Sequence, residues 1–190
     1  MKQGPRFAVF ASGNGSNFQA IQEAVTSGTL IGQLALVVSD KLDAYVLERA
    51  KTAGVEAIAI PPSSFSSKVA YEQAILEELL ERNIEWIVLA GYMRLIGEVL
   101  LKAYPDRIVN IHPSLLPAFP GKNAIGQALK HGVKVTGVTV HLVDSGMDTG
   151  PILAQQAVNV IENNIEATEE IIHALEHELY AKTLQYLWNK

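Results

Sequence analysis

Asn110 and His112 lie one residue apart in the stretch Val109-Asn110-Ile111-His112-Pro113-Ser114-Leu115-Leu116-Pro117. On a strand, residues two apart share a face, so both side chains point the same way. Pro113 restricts His112 to extended backbone. The amide can donate a hydrogen bond to an oxyanion, and the imidazole can carry a proton near neutral pH. In another setting the two would be a capping Asn beside a hydrogen-bonded His. Their place at a strand exit, on a stiff Pro-bounded loop, points instead to function.

A second segment, Ser12-Gly13-Asn14-Gly15-Ser16-Asn17, follows the apolar run Phe7–Ala11 and precedes a helical pattern. Its glycines let backbone N–H groups turn inward as an anion nest at a helix N-terminus. Ser16 and Asn17 can cap that helix or donate to a phosphate. No Gly-Lys-Ser/Thr follows, so this is not a Walker loop. It is also an incomplete dinucleotide fingerprint, because Phe18 stands at the third glycine position. Asp40, at the end of the second strand, stands where a ribose-binding acid would. A third segment, Asp144-Ser145-Gly146-Met147-Asp148-Thr149-Gly150-Pro151, suits a tight loop whose carboxylate could hold a histidine charged or position a water. Spacing leaves open whether that carboxylate is Asp144 or Asp148. Two further stretches have simpler readings. His173-Ala174-Leu175-Glu176-His177 matches an H-x-x-E-H zinc pattern, but only 13 residues follow His177, leaving little room for a third ligand. Gly91-Tyr92-Met93-Arg94-Leu95-Ile96 can be core with a snorkelling Arg, or backbone groups and an apolar wall for a flat ligand.

Positioning these segments falls to apolar runs at Phe7–Ala11, Ala35–Ser39, Glu56–Ile60, Trp86–Ala90 and Arg107–Ile111. They do not alternate with polar residues, and helical patterns over 17–26, 44–53 and 68–82 separate the first four. Such strands imply a parallel sheet covered on both faces. A short helix is predicted over 122–130. Val135–Val143 and Ile152–Val160 follow with only eight residues between them, too few for a helical crossover, so that pair is predicted antiparallel. A long helix is predicted over 166–188. The expected fold is therefore a single doubly wound α/β domain over residues 1–190, Rossmann-like and mostly parallel, with an antiparallel strand pair late in the chain and a long C-terminal helix. Ligands of such sheets bind beyond the carboxyl ends of the strands, where the segments above lie.

Composition narrows the chemistry. The 190 residues are 48% hydrophobic, which supports a large core and excludes whole-chain disorder. No apolar run reaches the ~18 residues of a membrane span, and no export signal is visible at the start. Fifteen Lys+Arg against 20 Asp+Glu give a net charge of −5, which argues against a broad nucleic-acid surface. There is no cysteine, so thiol nucleophiles, disulfides and cysteine zinc sites are excluded.

The stretches ASGNGSNFQAI, LAGYMRLI, NIHPSLLPAFPG and VHLVDSGMDTGPILAQ resemble the phosphoribosylglycinamide formyltransferase family, the folate-dependent glycinamide ribonucleotide transformylases of purine synthesis. The resemblance spans nearly the whole chain. The Asn-x-His-Pro-Ser-Leu-Leu-Pro motif is common to the wider formyltetrahydrofolate-using superfamily; the Gly-Asn-Gly-Ser-Asn loop narrows it. Formyltetrahydrofolate deformylases carry an extra N-terminal domain and methionyl-tRNA formyltransferases an extra C-terminal one, and neither is expected here.

The resemblance implies formyl transfer from 10-formyltetrahydrofolate, as co-substrate, to the amine of 5-phosphoribosylglycinamide, with a deformylase-like hydrolase as the alternative. It implies Asn110, His112 and Asp148 as catalytic residues, selecting Asp148 because it precedes the Gly-Pro step. It implies Gly15, Ser16, Asn17 and Glu176 at the ribonucleotide and its phosphate. It implies Lys68, Met93, Arg94, Leu95, Ile96, Asn110 and Asp144 at the folate. Two departures stand out. Lys68 replaces an Arg common in the family and loses its planar fork. Asn123 replaces a His found in some members and cannot carry a proton. No metal, nucleic-acid or membrane partner is expected. The expected protein is cytoplasmic, a monomer or homodimer acting on small molecules.

Overall fold

The computed structural model describes residues 4–162 and 164–189. Seven strands form one sheet: β1 (Arg6–Phe10), β2 (Gln33–Ser39), β3 (Ala57–Ala59), β4 (Trp86–Leu89), β5 (Ile108–His112), β6 (Val135–Leu142) and β7 (Ile152–Asn159). Six α-helices connect or cover them: α1 (Ser16–Thr26), α2 (Tyr45–Thr52), α3 (Lys68–Glu81), α4 (Glu98–Ala103), α5 (Ala124–Lys130) and α6 (Ile165–Trp188). A short 3-10 turn, Pro62–Ser64, precedes α3.

The strand order is β3-β2-β1-β4-β5-β6-β7. The strands from β3 to β5 pair in parallel, as their unbroken apolar character predicts. β6 runs antiparallel to both β5 and β7, so it is the one reversed strand. The sequence anticipates the β6–β7 pair from its short connection but does not say that β6 docks on β5. It also leaves α4 unpredicted. That helix has six residues and a single buried one, Leu100, too few for a readable period.

Alternation along each strand feeds two cores. Phe7, Val9 and Ala11 face one side, together with Val88, Val109 and Ile111, and pack with Phe18 and Ile21 of α1, Val46 of α2 and Ile172 and Leu184 of α6. Ala8 and Phe10 face the other, with Ile87, Leu89 and Ile108, beneath Ile75 and Leu79 of α3 and Leu100 of α4. β1 is covered on both faces, hence its lack of any polar residue after Arg6.

Tyr180 ties α6 to the sheet beside the strand ends. It is fully buried, and its hydroxyl is 2.8 Å from the Leu89 carbonyl and 3.0 Å from that of Val109, the residue before Asn110. Among the described residues no helix is long and apolar enough to cross a membrane. Tyr180→Phe removes the single donor shared by those carbonyls and should lower unfolding free energy by about 1 kcal/mol, read from the urea midpoint at unchanged slope.

Candidate active site

The sheet reverses its winding between β1 and β4, and an open cavity of about 700 Å³ lies at the carboxyl ends of these strands and β5. The loop after β1, the segment after β4, the end of β5 and the β6–β7 loop line it, with α6 contributing Glu169, His173 and Glu176.

The loop after β1 is shaped from behind by α2. Gly15 adopts a left-handed φ of 78°, and a Cβ there would lie 2.5 Å from Val46 Cγ2, so both backbone and space require glycine. The Val46 N–H donates to the Gly13 carbonyl at 3.1 Å. Arg49 Nε donates to the Asn14 carbonyl and Nη2 to Asn14 Oδ1, each at 2.8 Å. α1 then starts at Ser16 with no side-chain cap, which leaves its first amides available to an anion. Of the two uses the sequence allows for Ser16 and Asn17, capping is therefore not the one adopted. Asn17 Nδ2 instead donates to Glu176 Oε2 at 3.4 Å.

Asp148 is the meeting point of the site. Its Oδ2 accepts the Gly121 N–H at 2.7 Å and lies 3.5 Å from His112 Nδ1. Its Oδ1 lies 3.5 Å from Asn110 Nδ2 and 3.7 Å from His141 Nε2. Asp148 holds a left-handed φ of 56°, which Asp tolerates better than most residues. His141 beside it holds the carboxyl below the usual range; burial opposes this, while the Gly121 N–H and His112 act in the same direction as His141.

The two histidines are oriented by carbonyls, which only accept. His112 Nε2 therefore donates to the Phe119 carbonyl at 2.9 Å, leaving Nδ1 toward Asp148. His141 Nδ1 donates to the Leu142 carbonyl at 2.8 Å, which turns Nε2 toward Asp148 and leaves it 3.1 Å from Asn110 Nδ2. Asn110 and His141 are cross-strand partners on β5 and β6, so register alone sets that contact.

Of the residues expected at the folate, Met93, Arg94, Leu95, Ile96, Asn110 and Asp144 line the main cavity. Lys68 does not; it lines an adjoining cavity of about 310 Å³ that shares the Tyr92–Ile96 wall. Asp144 is exposed, and its Oδ1 accepts from the Gly146 N–H at 3.0 Å and Thr149 Oγ1 at 2.7 Å, which closes the loop that delivers Asp148. Asp40 is buried with Oδ2 4.0 Å from Arg94 Nη1. In the H-x-x-E-H stretch, His173 and Glu176 line the cavity and His177 does not. Among the described residues no group of His, Asp or Glu is arranged to hold a metal.

The sequence matches the formyl transferase family over residues 5–184. The chain belongs to that family. It is 53% identical over 183 residues to a phosphoribosylglycinamide formyltransferase of Bacillus subtilis, covering 96% of this chain and 94% of that one. The crystal structure of glycinamide ribonucleotide transformylase 1 from Geobacillus kaustophilus has a TM-score of 0.95 to this chain at 57% identity, covering 97% of this chain and 99% of that one. The trifunctional purine biosynthetic protein adenosine-3 of Drosophila pseudoobscura pseudoobscura is 38% identical over 185 residues, covering 96% of this chain and 14% of that protein.

In this formyl transferase, sequence reasoning missed His141 and Arg49. The signal for His141 was its place near the end of the predicted strand Val135–Val143, which leads into the Asp144–Pro151 segment. Arg49 carried none, because its partner Asn14 lies 35 residues away and only folding brings them together.

Glu176 is 6% exposed, and burial raises its pKa to about 7, with the Asn17 hydrogen bond opposing. The folded value lies above the unfolded one. The stability of the neutral carboxyl is thus complete below about pH 4.5 and lost as the pH rises to about 7. Relative to Glu176→Gln, the wild type should lose on the order of 3 kcal/mol of unfolding free energy across that window. Urea titrations at pH 4.5, 6, 7 and 8 measure it, and a pH-independent difference excludes the buried neutral acid.

Proposed function

We propose that this formyl transferase moves the formyl group of 10-formyltetrahydrofolate to the amine of 5-phosphoribosylglycinamide, giving N-formylglycinamide ribonucleotide and tetrahydrofolate in purine biosynthesis. One observation carries the reading: a single cavity joins an uncapped helix N-terminus to an apolar segment, and the Asp148 cluster lies in its wall. A phosphorylated amine bound at the first and a formylated flat ring bound at the second would meet at Asn110, His112 and Asp148. The names of the Bacillus and Geobacillus relatives support the same substrate.

In this reading the backbone amides at Gly15, Ser16 and Asn17 hold the phosphate, and Glu176 accepts from the substrate's polar groups. Met93, Arg94, Leu95 and Ile96 receive the folate ring, with Asp144 at the rim and Lys68 nearer the far end. The neutral amine attacks the formyl carbon, and the carbonyl oxygen becomes an oxyanion. Asn110 donates one N–H to it, giving up its contact to Asp148. His112 Nδ1 supplies the second donor, since Nε2 is committed to Phe119. Asp148 stabilises the doubly protonated ring and, through water, passes the amine proton to the departing folate nitrogen. One N–H proton leaves the amine and one arrives at the leaving nitrogen, so the step balances. No acyl-enzyme is needed, in keeping with a chain without cysteine.

Each oxyanion donor is typically worth ~10²–10³ in rate. His112→Ala and Asp148→Asn should therefore lose at least about a hundredfold in kcat while still binding both substrates. The measurement is tetrahydrofolate release with and without 5-phosphoribosylglycinamide. Release that needs the amine supports transfer. Equal release without it would identify a hydrolase in which water replaces the amine.

A further inference from the structure

The proton chemistry above has no use for Glu72, a buried carboxyl on α3 that is 3% exposed. Its Oε1 accepts the Gly97 N–H at 2.5 Å, and Lys68 Nζ lies 3.9 Å away. Gly97 has an ordinary φ of −106°, yet a Cβ there would stand 2.7 Å from both Glu72 oxygens and 2.8 Å from Lys68 Cε. A side chain at this position would have to push the Glu72 carboxylate and the Lys68 stem aside.

A second buried acceptor holds the other end of the same segment. The Met93 N–H donates to Ser12 Oγ at 2.9 Å; Ser12 is 3% exposed and donates its own N–H to the Gly91 carbonyl at 3.0 Å. Between the two anchors, the N–H groups of Arg94, Leu95 and Ile96 find no partner among the described residues. Met93 and Leu95 expose 59% and 51% of their surface. The segment is pinned at both ends and open in the middle.

We infer that Ser12 and Glu72 are positioning residues for the co-substrate: they fix the backbone of Met93–Gly97 so that its free N–H groups and apolar side chains present one surface to the flat ring. The inference rests on the folate reading of that wall. Ser12 lines the main cavity and Glu72 the adjoining one, and each reaches the co-substrate wall through a backbone N–H of Met93–Gly97, so the effect falls on folate binding rather than on the chemical step. Ser12 also opens the loop that leads to Gly15, which places the two ligand regions on either side of one hydroxyl.

The test uses the whole chain. Removing the acceptor in Ser12→Ala or Glu72→Ala releases the backbone N–H that it holds and should raise the KM for 10-formyltetrahydrofolate, and the Kd for tetrahydrofolate, about tenfold. The kcat should stay within about twofold. Gly97→Ala, which pushes the carboxyl away, should act in the same direction. Glu72→Gln keeps an acceptor oxygen and should recover most of the affinity. If the wild type neither binds tetrahydrofolate nor consumes the formyl donor, the folate reading itself fails. If it does both, and the folded Ser12→Ala, Glu72→Ala and Gly97→Ala variants bind tetrahydrofolate as tightly as wild type, the positioning role is overturned. A Glu72→Gln variant as impaired as Glu72→Ala, or a loss confined to kcat, overturns it as well.

Discussion

The carboxylate of Asp148 joins four parts of the chain that share no local sequence. Asn110 and His112 come from β5, Gly121 from the loop that follows it, His141 from β6, and Asp148 itself from the β6–β7 loop. A carboxylate has about four lone-pair positions, and here donors or ring nitrogens surround both oxygens. Each contact also orients its partner. Gly121 fixes the loop, and the two histidines are turned by the Phe119 and Leu142 carbonyls so that one nitrogen of each faces Asp148. Without the carboxylate, two buried histidines and the half-buried Asn110 amide would lose the group they share, and that loss falls on the centre of the proposed chemistry.

The sheet supplies the frame. Parallel strands β1, β4 and β5 end at one edge, and the reversal of winding between β1 and β4 leaves an open crevice there. Reversal of β6 is what brings His141 opposite Asn110, because antiparallel pairing on β5 sets their register. Tyr180 of α6 then reaches across to β4 and β5 at the residues immediately before the crevice. Helix, sheet and site are thus joined by hydrogen bonds within one residue of Asn110.

An acidic chain that is to bind the two anionic substrates proposed above must do so locally. The net charge of −5 gives no general attraction. What it has instead is the uncapped start of α1, backed by Arg49 on Asn14, and a wall whose amides are free. Burial turns Glu176 toward its neutral form, which removes a negative charge from the same cavity near neutral pH.

Much of this was legible in the residues. Unbroken apolar runs announced a parallel sheet because both its faces are covered, and an eight-residue gap announced the antiparallel pair because no crossover fits in it. The Asn-x-His spacing placed Asn110 and His112 on one face by strand geometry alone, and Gly15 was readable as a turn glycine. Other features belong to the tertiary structure. Spacing could not choose between Asp144 and Asp148; folding makes the first a turn closure and the second the hub. Nor could it reveal His141, Arg49, Ser12 or Glu72, whose partners lie 31, 35, 81 and 25 residues away. Local patterns report the period and polarity of one element. Which side chains from different elements share a hydrogen bond is decided only when the sheet order and register bring them within 3 Å or so.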